Sequence, residues 1–487
     1  MQIRTVGKNV LIYAIGIVAL RGTALLLIPL YTHFLTIEDF GILSTVLITT
    51  QLMQIFMPLG TWDSVCKFYE NYKNTNMISD LFGTSLIVNL FGGILTSILA
   101  LMLFLPLFNK YISDKNISKY VFLACIISLA QSLCQLMMAY YRAENKAINY
   151  MLSGTMSSLI LLVLTPIFII MLKKGIAGAL YAQVIAYLAV FFVIFVKIKN
   201  KYKIAFSLNT FRSLISFGIP LVFSLLSMFI IQSSCIYFLG YFGTLEDTAI
   251  FSLGSKFSAI MAMLITSPFQ LAFAPYFYAH SHNAELKSFL PRIFLYMNIL
   301  SIFLCYLILF LFKLFFPLIA PLSYFASYTV CLFLIPSIVF LTIKVIGETI
   351  LYNFNKTACA GAVSSIFASI NLLLNYLLIP HFKIYGAVAS SALTIIFLSL
   401  TIFRLGAKAY PFSINFRKFA MIMVLLASLI LSFFLIRNSN IPIFLVLSLG
   451  LFIIIVLLFY SNLFFESTDR PQIKEMLFRI FPMQRNI

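Results

Sequence analysis

Fourteen runs of at least 18 predominantly apolar, nearly uncharged residues follow one another along this 487-residue chain, and they limit its folding more strongly than any other feature. In hydrocarbon every backbone N–H and C=O must find its partner within the segment, so each run specifies a membrane-spanning helix. The runs lie at about 10–31, 40–62, 81–108, 120–141, 149–172, 175–196, 213–240, 248–271, 293–316, 324–350, 357–380, 384–405, 419–436 and 441–464. Composition agrees, since 62% of residues are apolar and only 10% charged, outside the range of soluble globular chains. The expected fold class is an all-α polytopic membrane protein of about 14 transmembrane helices.

Orientation follows from the basic residues, because short cytoplasmic loops retain Lys and Arg. With both termini inside, 22 of the 33 Lys and Arg fall on the inner side and eight on the outer side. Arg21, Lys256 and Lys344 lie within the spans themselves. The net charge of +19 is thus topology plus attraction to anionic lipid, and it calls for no nucleic acid. The basic start runs into a 22-residue apolar stretch without a small-residue cleavage site, so the first span is expected to stay in the membrane. Six of the seven Cys (125, 134, 235, 305, 331 and 359) fall in spans and Cys66 at a helix end, a pattern of core residues rather than of disulfides or metal ligands.

The segment "FLTIEDFGILS" at 34–44 returns as "FGTLEDTAIFS" at 242–252, 208 residues later, with six identities that include the acidic pair. The offset recurs: Asn145 faces Asn355 at 210, Gly154 faces Gly361 at 207, and Ile176 faces Ile384 at 208. A repeat of this length divides the chain into two six-helix lobes, residues 1–200 and 201–410, followed by an appended pair of helices and a basic tail at 411–487. Six crossings per repeat give both copies the same orientation, related by an axis along the membrane normal. The two acidic pairs, Glu38–Asp39 and Glu246–Asp247, are expected to cap the helices that follow them, at the outer interface. Paired six-helix bundles are a transporter design, in which a site between them opens alternately to either side.

The opening "GKNVLIYAIGIVALRGTALLLIPLYTHFLTIEDFGILS", followed by "GTWDSVCKFYE", resembles the start of Wzx-type polysaccharide flippases of the multidrug/oligosaccharidyl-lipid/polysaccharide superfamily. Their first loop commonly reads Leu, a short polar turn, an acid, an aromatic and Gly, a pattern that Leu35 to Gly41 fits. The resemblance implies MATE-like lobes that move an undecaprenyl-pyrophosphate-linked oligosaccharide, such as an O-antigen unit, from the inner to the outer leaflet of a bacterial plasma membrane. Membrane lipids are the surroundings, and a glycan polymerase and assembly proteins are the neighbours it implies. No cofactor is expected, and coupling to H⁺ or Na⁺ flow is left open.

A pyrophosphate crossing a low-dielectric region needs fixed cations, and an intramembrane cation costs about 3 kcal/mol even on lenient scales unless it faces a wet cavity. Arg21, mid-span in the first helix, is the leading candidate, since similar flippases carry cations on that helix. Lys256, roughly nine residues into the eighth span, is the second. Lys344 and Glu348 share a face of the tenth at i,i+4 spacing and complete the substrate-binding set. Asp63 and Lys67 form a similar pair at a helix end and read as capping or surface. Pro29, Pro58, Pro166, Pro220, Pro268 and Pro336 fall in spans, where they permit bending. The "HSH" at 280–282 reads as solvated, and the "KIKNKYK" run at 197–203 as a solvated linker touching headgroups. The alternatives are a MATE-like drug or metabolite exporter and, more remotely, a membrane-bound glycan polymerase or transferase. The first would be expected to bury acids rather than cations; the second needs a catalytic loop or paired carboxylates, which the sequence lacks. No enzymatic activity is expected.

Overall fold

A computed structural model describes residues 22–450, apart from 24, 76, 200–201, 282–283, 413–415, 440–441, 445 and 449. Described residues form helices and turns, with no strand among them. The helices are α1 (Ile28–Phe34), α2 (Ile37–Phe56), α3 (Thr61–Asn74), α4 (Ile78–Asn109), α5 (Ile117–Ala143), α6 (Ala147–Pro166), α7 (Gly175–Lys199) and α8 (Leu208–Ser233). After them come α9 (Cys235–Phe242), α10 (Leu245–Met261), α11 (Ser267–His280), α12 (Ala284–Leu314), α13 (Ala326–Asn353), α14 (Thr357–Ala409) and α15 (Phe416–Leu435). Among the described residues ten helical segments are long and apolar enough to cross a membrane. The difference from the expected 14 has identifiable causes. The runs at 10–31 and 441–464 lie mostly outside the described residues. The run at 419–436 corresponds to α15, whose apolar part Phe419–Leu435 is short. The runs at 357–380 and 384–405 are the two arms of the 53-residue α14, divided at Lys383, where φ is 47°.

The repeat reappears in backbone detail. Both α2 and α10 begin after an extended threonine whose hydroxyl accepts from the N–H three residues on: Thr36 from Asp39 at 3.1 Å, Thr244 from Asp247 at 3.0 Å. At Thr244 the box is reciprocal, the Asp247 carboxylate accepting from the Thr244 N–H. The acidic pairs therefore sit in the first turns, while the preceding threonines make the caps. Asn145 and Asn355 both adopt φ 57°, in the left-handed region that Asn tolerates, and reverse the chain between α5 and α6 and between α13 and α14. At both turns the next residue closes a backbone bond of 2.8 Å, from Lys146 to Tyr141 and from Lys356 to Leu351.

Helices before residue 200 pack largely on one another, α5 against α4, α7 and α2; those after 207 do likewise, α13 against α14, α10 and α12. The central exception is α2, which packs along α10, its counterpart in the repeat. Hereafter the end at which these two helices start, which the charge asymmetry assigns to the outside, is the outer end. There a Cβ on Gly41 would fall 2.1 Å from the Leu245 carbonyl oxygen, so only glycine permits the approach. Around it Phe40, Ile42 and Val46 share a buried cluster with Ala249, Leu253 and Tyr324. Lower down the chain bends at matching depth in both copies. After α2, Leu59 and Gly60 take positive φ beside Pro58; after α10 a π-helical stretch, Ala262–Thr266, precedes Pro268.

In the segment expected to be a solvated linker Lys197, Lys199 and Lys203 are exposed, but the chain is strapped down at Tyr202 and just beyond it. Tyr202 is buried, the Ser207 N–H donates to the Thr84 hydroxyl at 3.0 Å, and Gly83 lies against the Ala205 backbone. The appended α15 is held at the outer end by Lys313, whose ammonium donates to the carbonyls of Ile436 at 2.7 Å and Ser439 at 3.2 Å. A cation at a helix C-terminus meets the carbonyls left without intrahelical partners.

Candidate functional site

The face between α2 and α10 brings together one of the four residues singled out from the sequence and several that were not. Lys256 lies on α10 two residues after Gly254 and two before Ser258, both of which pack on α13. Two helical steps turn a side chain through about 200°, so Lys256 faces away from α13 and towards α2. Its ammonium sits 4.8 Å from the centroid of the Phe40 ring, and the residue is half-buried. No carboxylate among the described residues pairs with it. The Phe40 ring is itself fully buried, edge-on to Tyr324 at 5.9 Å and tilted against Tyr31 at 6.4 Å.

Lys344 and Glu348 do come together, Nζ to Oε1 at 2.9 Å, with side chains 7% and 14% exposed. Lys344 also lies 3.6 Å from the Met228 sulfur on α8, and between the pair Gly347 packs against Ile402 and Gly406 on the second arm of α14. This cation is thereby matched on its own helix and is not brought onto Phe40 with Lys256. Arg21 lies outside the described residues. Of the HSH triplet, His282 does as well.

The inner end holds residues that the sequence reading set aside. Asp63 does not pair with Lys67; it lies 3.9 Å from Arg142 on α5. Lys67 instead places its ammonium 3.8 Å from the ring centroid of Phe217 on α8 and 5.3 Å from that of Phe68. Beside it the Ser64 hydroxyl donates to the Leu214 carbonyl at 3.1 Å, and Gly60 meets Gly218 backbone to backbone. Behind this contact the Tyr202 hydroxyl donates to Glu144 at 2.6 Å, Tyr69 donates at 3.3 Å, and Lys146 approaches the other carboxylate oxygen at 2.5 Å. Burial, then the Glu144 hydrogen bond, pushes the Tyr202 phenol up to about 12, so it remains a donor at physiological pH.

A second polar group, also unforeseen, ties the α8–α9 junction to both arms of α14. Asn371 accepts from Ser234 at 3.1 Å and from Asn375 at 3.1 Å, and donates to Thr394 at 3.1 Å. Asn375 donates to Ser234 at 2.9 Å and accepts from Ser390. Both amides are fully buried with donors and acceptors used, an arrangement that holds helices together rather than one awaiting a ligand. The single signal in sequence was amides and hydroxyls spaced by four within apolar runs.

Among the described residues, a cation without a carboxylate partner lies on the face between the two repeat-related helices, and contacts between the halves occur at both ends. Comparison with known proteins agrees in fold. Residues 6–281, more than half of the chain, match the family described as polysaccharide biosynthesis protein. The structure is similar to the lipid II flippase MurJ in an inward closed conformation, with 12% identity and a TM-score of 0.74 over 93% of this chain and 99% of that one. It is also similar to an inward-facing multidrug resistance MATE family transporter of the MOP superfamily, with 15% identity and a TM-score of 0.67 over 82% of this chain and 97% of that one. A mutant of the Vibrio cholerae MATE transporter VcmN gives 15% identity and 0.60 over 83% and 96%. A sequence search among curated proteins returns no match.

Proposed function

The chain belongs to the polysaccharide biosynthesis protein family, and from that premise we propose that it is a flippase carrying a polyprenyl-pyrophosphate-linked oligosaccharide from the inner to the outer leaflet of a bacterial plasma membrane. The observation that carries the reading is Lys256, an intramembrane cation on the face between α2 and α10 with no carboxylate partner among the described residues. Such a charge costs about 3 kcal/mol to hold in a span, a cost that an anionic cargo offsets each time it binds. The helices before and after about residue 200 act as two lobes, and alternating access is their rocking about the α2–α10 face. Pyrophosphate and head sugars travel between the lobes, and Arg21 supplies a second cation to them; the polyprenyl tail stays in lipid. Lys344 and Glu348 form a neutral pair at the border of that path, with Glu348 the acid through which proton coupling would act. Glycan polymerase and assembly enzymes stand on either side of this step. This is transport rather than catalysis, and it calls for no cofactor.

The test is complementation of a bacterial strain lacking its own lipid-linked oligosaccharide flippase, with surface glycan as the readout. Wild type is expected to restore glycan, Lys256→Arg to restore part of it, and Lys256→Met and Arg21→Ala to fail although present in the membrane. Full export by both neutral variants would sink the site assignment. The likeness to MATE transporters supplies the second reading, and a drug-efflux assay on the same cells separates it: resistance without glycan would favour the exporter.

A further inference from the structure

Two lysines reach across the molecule in opposite senses. Near the outer end Lys256, on α10, covers the Phe40 ring on α2 at 4.8 Å. At the inner end Lys67, on α3, covers the Phe217 ring on α8 at 3.8 Å. Each half of the chain thus lends a cation to a ring of the other, and such a contact is found at each end. Both contacts lie beside places where the halves meet most closely: Gly41 against Leu245, and Gly60 against Gly218. Neither ammonium has a carboxylate partner among the described residues. The outer end also carries a third such contact, Lys110 over the Tyr241 ring at 4.9 Å, but at an exposed rim where the ammonium also donates to the ring's own hydroxyl at 2.7 Å.

We propose that these two cation–π contacts are latches that the phosphate groups of the cargo unfasten, so that an anion between the halves loosens the end towards which its lysine points. This rests on the flippase reading above. The argument is one of competition. A ring face attracts an ammonium through its quadrupole, whereas a phosphate oxygen offers a full charge and a charge-assisted hydrogen bond. A diphosphate within reach of Lys256 takes the ammonium from Phe40, and the outer contact loses its cation once the cargo is in place. Lys67 engages the same group first, at the inner mouth, and closes back onto Phe217 when the anion has moved on. A ligand shifts a conformational balance only through a difference in how it meets the two states, and exchange of a lysine from ring to phosphate is such a difference.

The experiment places Ser44→Cys, buried one turn below Gly41, in the protein in nanodiscs and follows its maleimide labelling by mass spectrometry, which separates it from native Cys66 and Cys359. Labelling of the otherwise unaltered protein should be slow. Phe40→Leu and Lys256→Met should raise it by about tenfold, while Phe40→Tyr, which keeps the ring face, should leave it low. Undecaprenyl diphosphate should raise labelling of the Phe40 protein but add nothing to Phe40→Leu, and undecaprenol, without phosphate, should not act. At the inner end Phe217→Leu should expose Ser64→Cys in the same way. Unchanged labelling in both Phe40→Leu and Lys256→Met, or an equal response to undecaprenol, would overturn the proposal. If the latches respond as expected while wild type restores no glycan in the complementation assay, the flippase reading falls and the anion-operated latch stands.

Discussion

Gly60 and Gly218 lie back to back, such that a Cβ on Gly60 would fall 2.4 Å from the Cα of Gly218 and one on Gly218 would fall 2.0 Å from the Leu59 carbonyl oxygen. Gly60 adds φ 75°, so two demands meet in one residue. Gly218→Val is expected to hold the inner end apart, at a cost of about 1–3 kcal/mol from overpacking. A lower melting temperature together with faster labelling of Ser64→Cys would register it. A melting temperature equal to wild type would contradict the close approach.

Lys344 and Glu348 allow a sharper test, because removing one partner of a buried pair strands the other. Glu348→Gln should cost about 3–5 kcal/mol, whereas Lys344→Met with Glu348→Leu should recover most of the loss. Thermal unfolding in detergent measures both. If the double variant is stable yet exports nothing, the charges belong to transport rather than to folding.

The amide group on α14 yields a third expectation. Asn375→Leu removes one hydrogen bond each from Ser234, Ser390 and Asn371, which keep Asn371, the Ala387 carbonyl and Thr394 respectively, and roughly 0.5–1.5 kcal/mol per lost bond follows. The loss should appear in a thermal melt of the purified protein. Asn375→Asp would bury a carboxylate that the surrounding hydroxyls match only in part, and is expected to be the less tolerated at high pH.

Tyr202 gives a pH dependence with a definite sign. Its phenol is raised to about 12 in the folded protein from an ordinary value of 10.0. The unfolded chain therefore loses this proton first, and stability from this group is full below pH 10 and declines as pH rises towards 12. Tyr202→Phe should lower stability by about 1 kcal/mol at neutral pH, through the lost hydrogen bond to Glu144, and should remove this part of the alkaline decline. Comparing melts of the two proteins at several pH values would check both halves.

Much of the fold was legible because it is local or periodic. Apolar runs gave most helices to within a few residues, and the 208-residue offset led to Thr36 and Thr244, and to the twin left-handed turns at Asn145 and Asn355. The helical break at Leu59 was not foreseen, since Pro58 alone reads equally as a kink. The pairing of Lys67 with Phe217 was invisible for a different reason. It joins residues 150 positions apart on helices whose relative placement no periodicity encodes, while the i,i+4 spacing of Asp63 and Lys67 pointed to a pair that Arg142 in fact takes up. Lys344 with Glu348, by contrast, was readable because both partners sit on one helix.

The threonine caps that begin α2 and α10 have an electrostatic consequence at the place where these helices touch. Each start carries two acids, so the contact of Gly41 with Leu245 gathers Glu38, Asp39, Glu246 and Asp247 around one outer rim. Over a screening length of about 8 Å at physiological salt, that collar repels anions in the water beyond it. On the flippase reading proposed above, a diphosphate that has left by this end would meet a barrier to return that no moving part has to supply, and the rim would act as a rectifier.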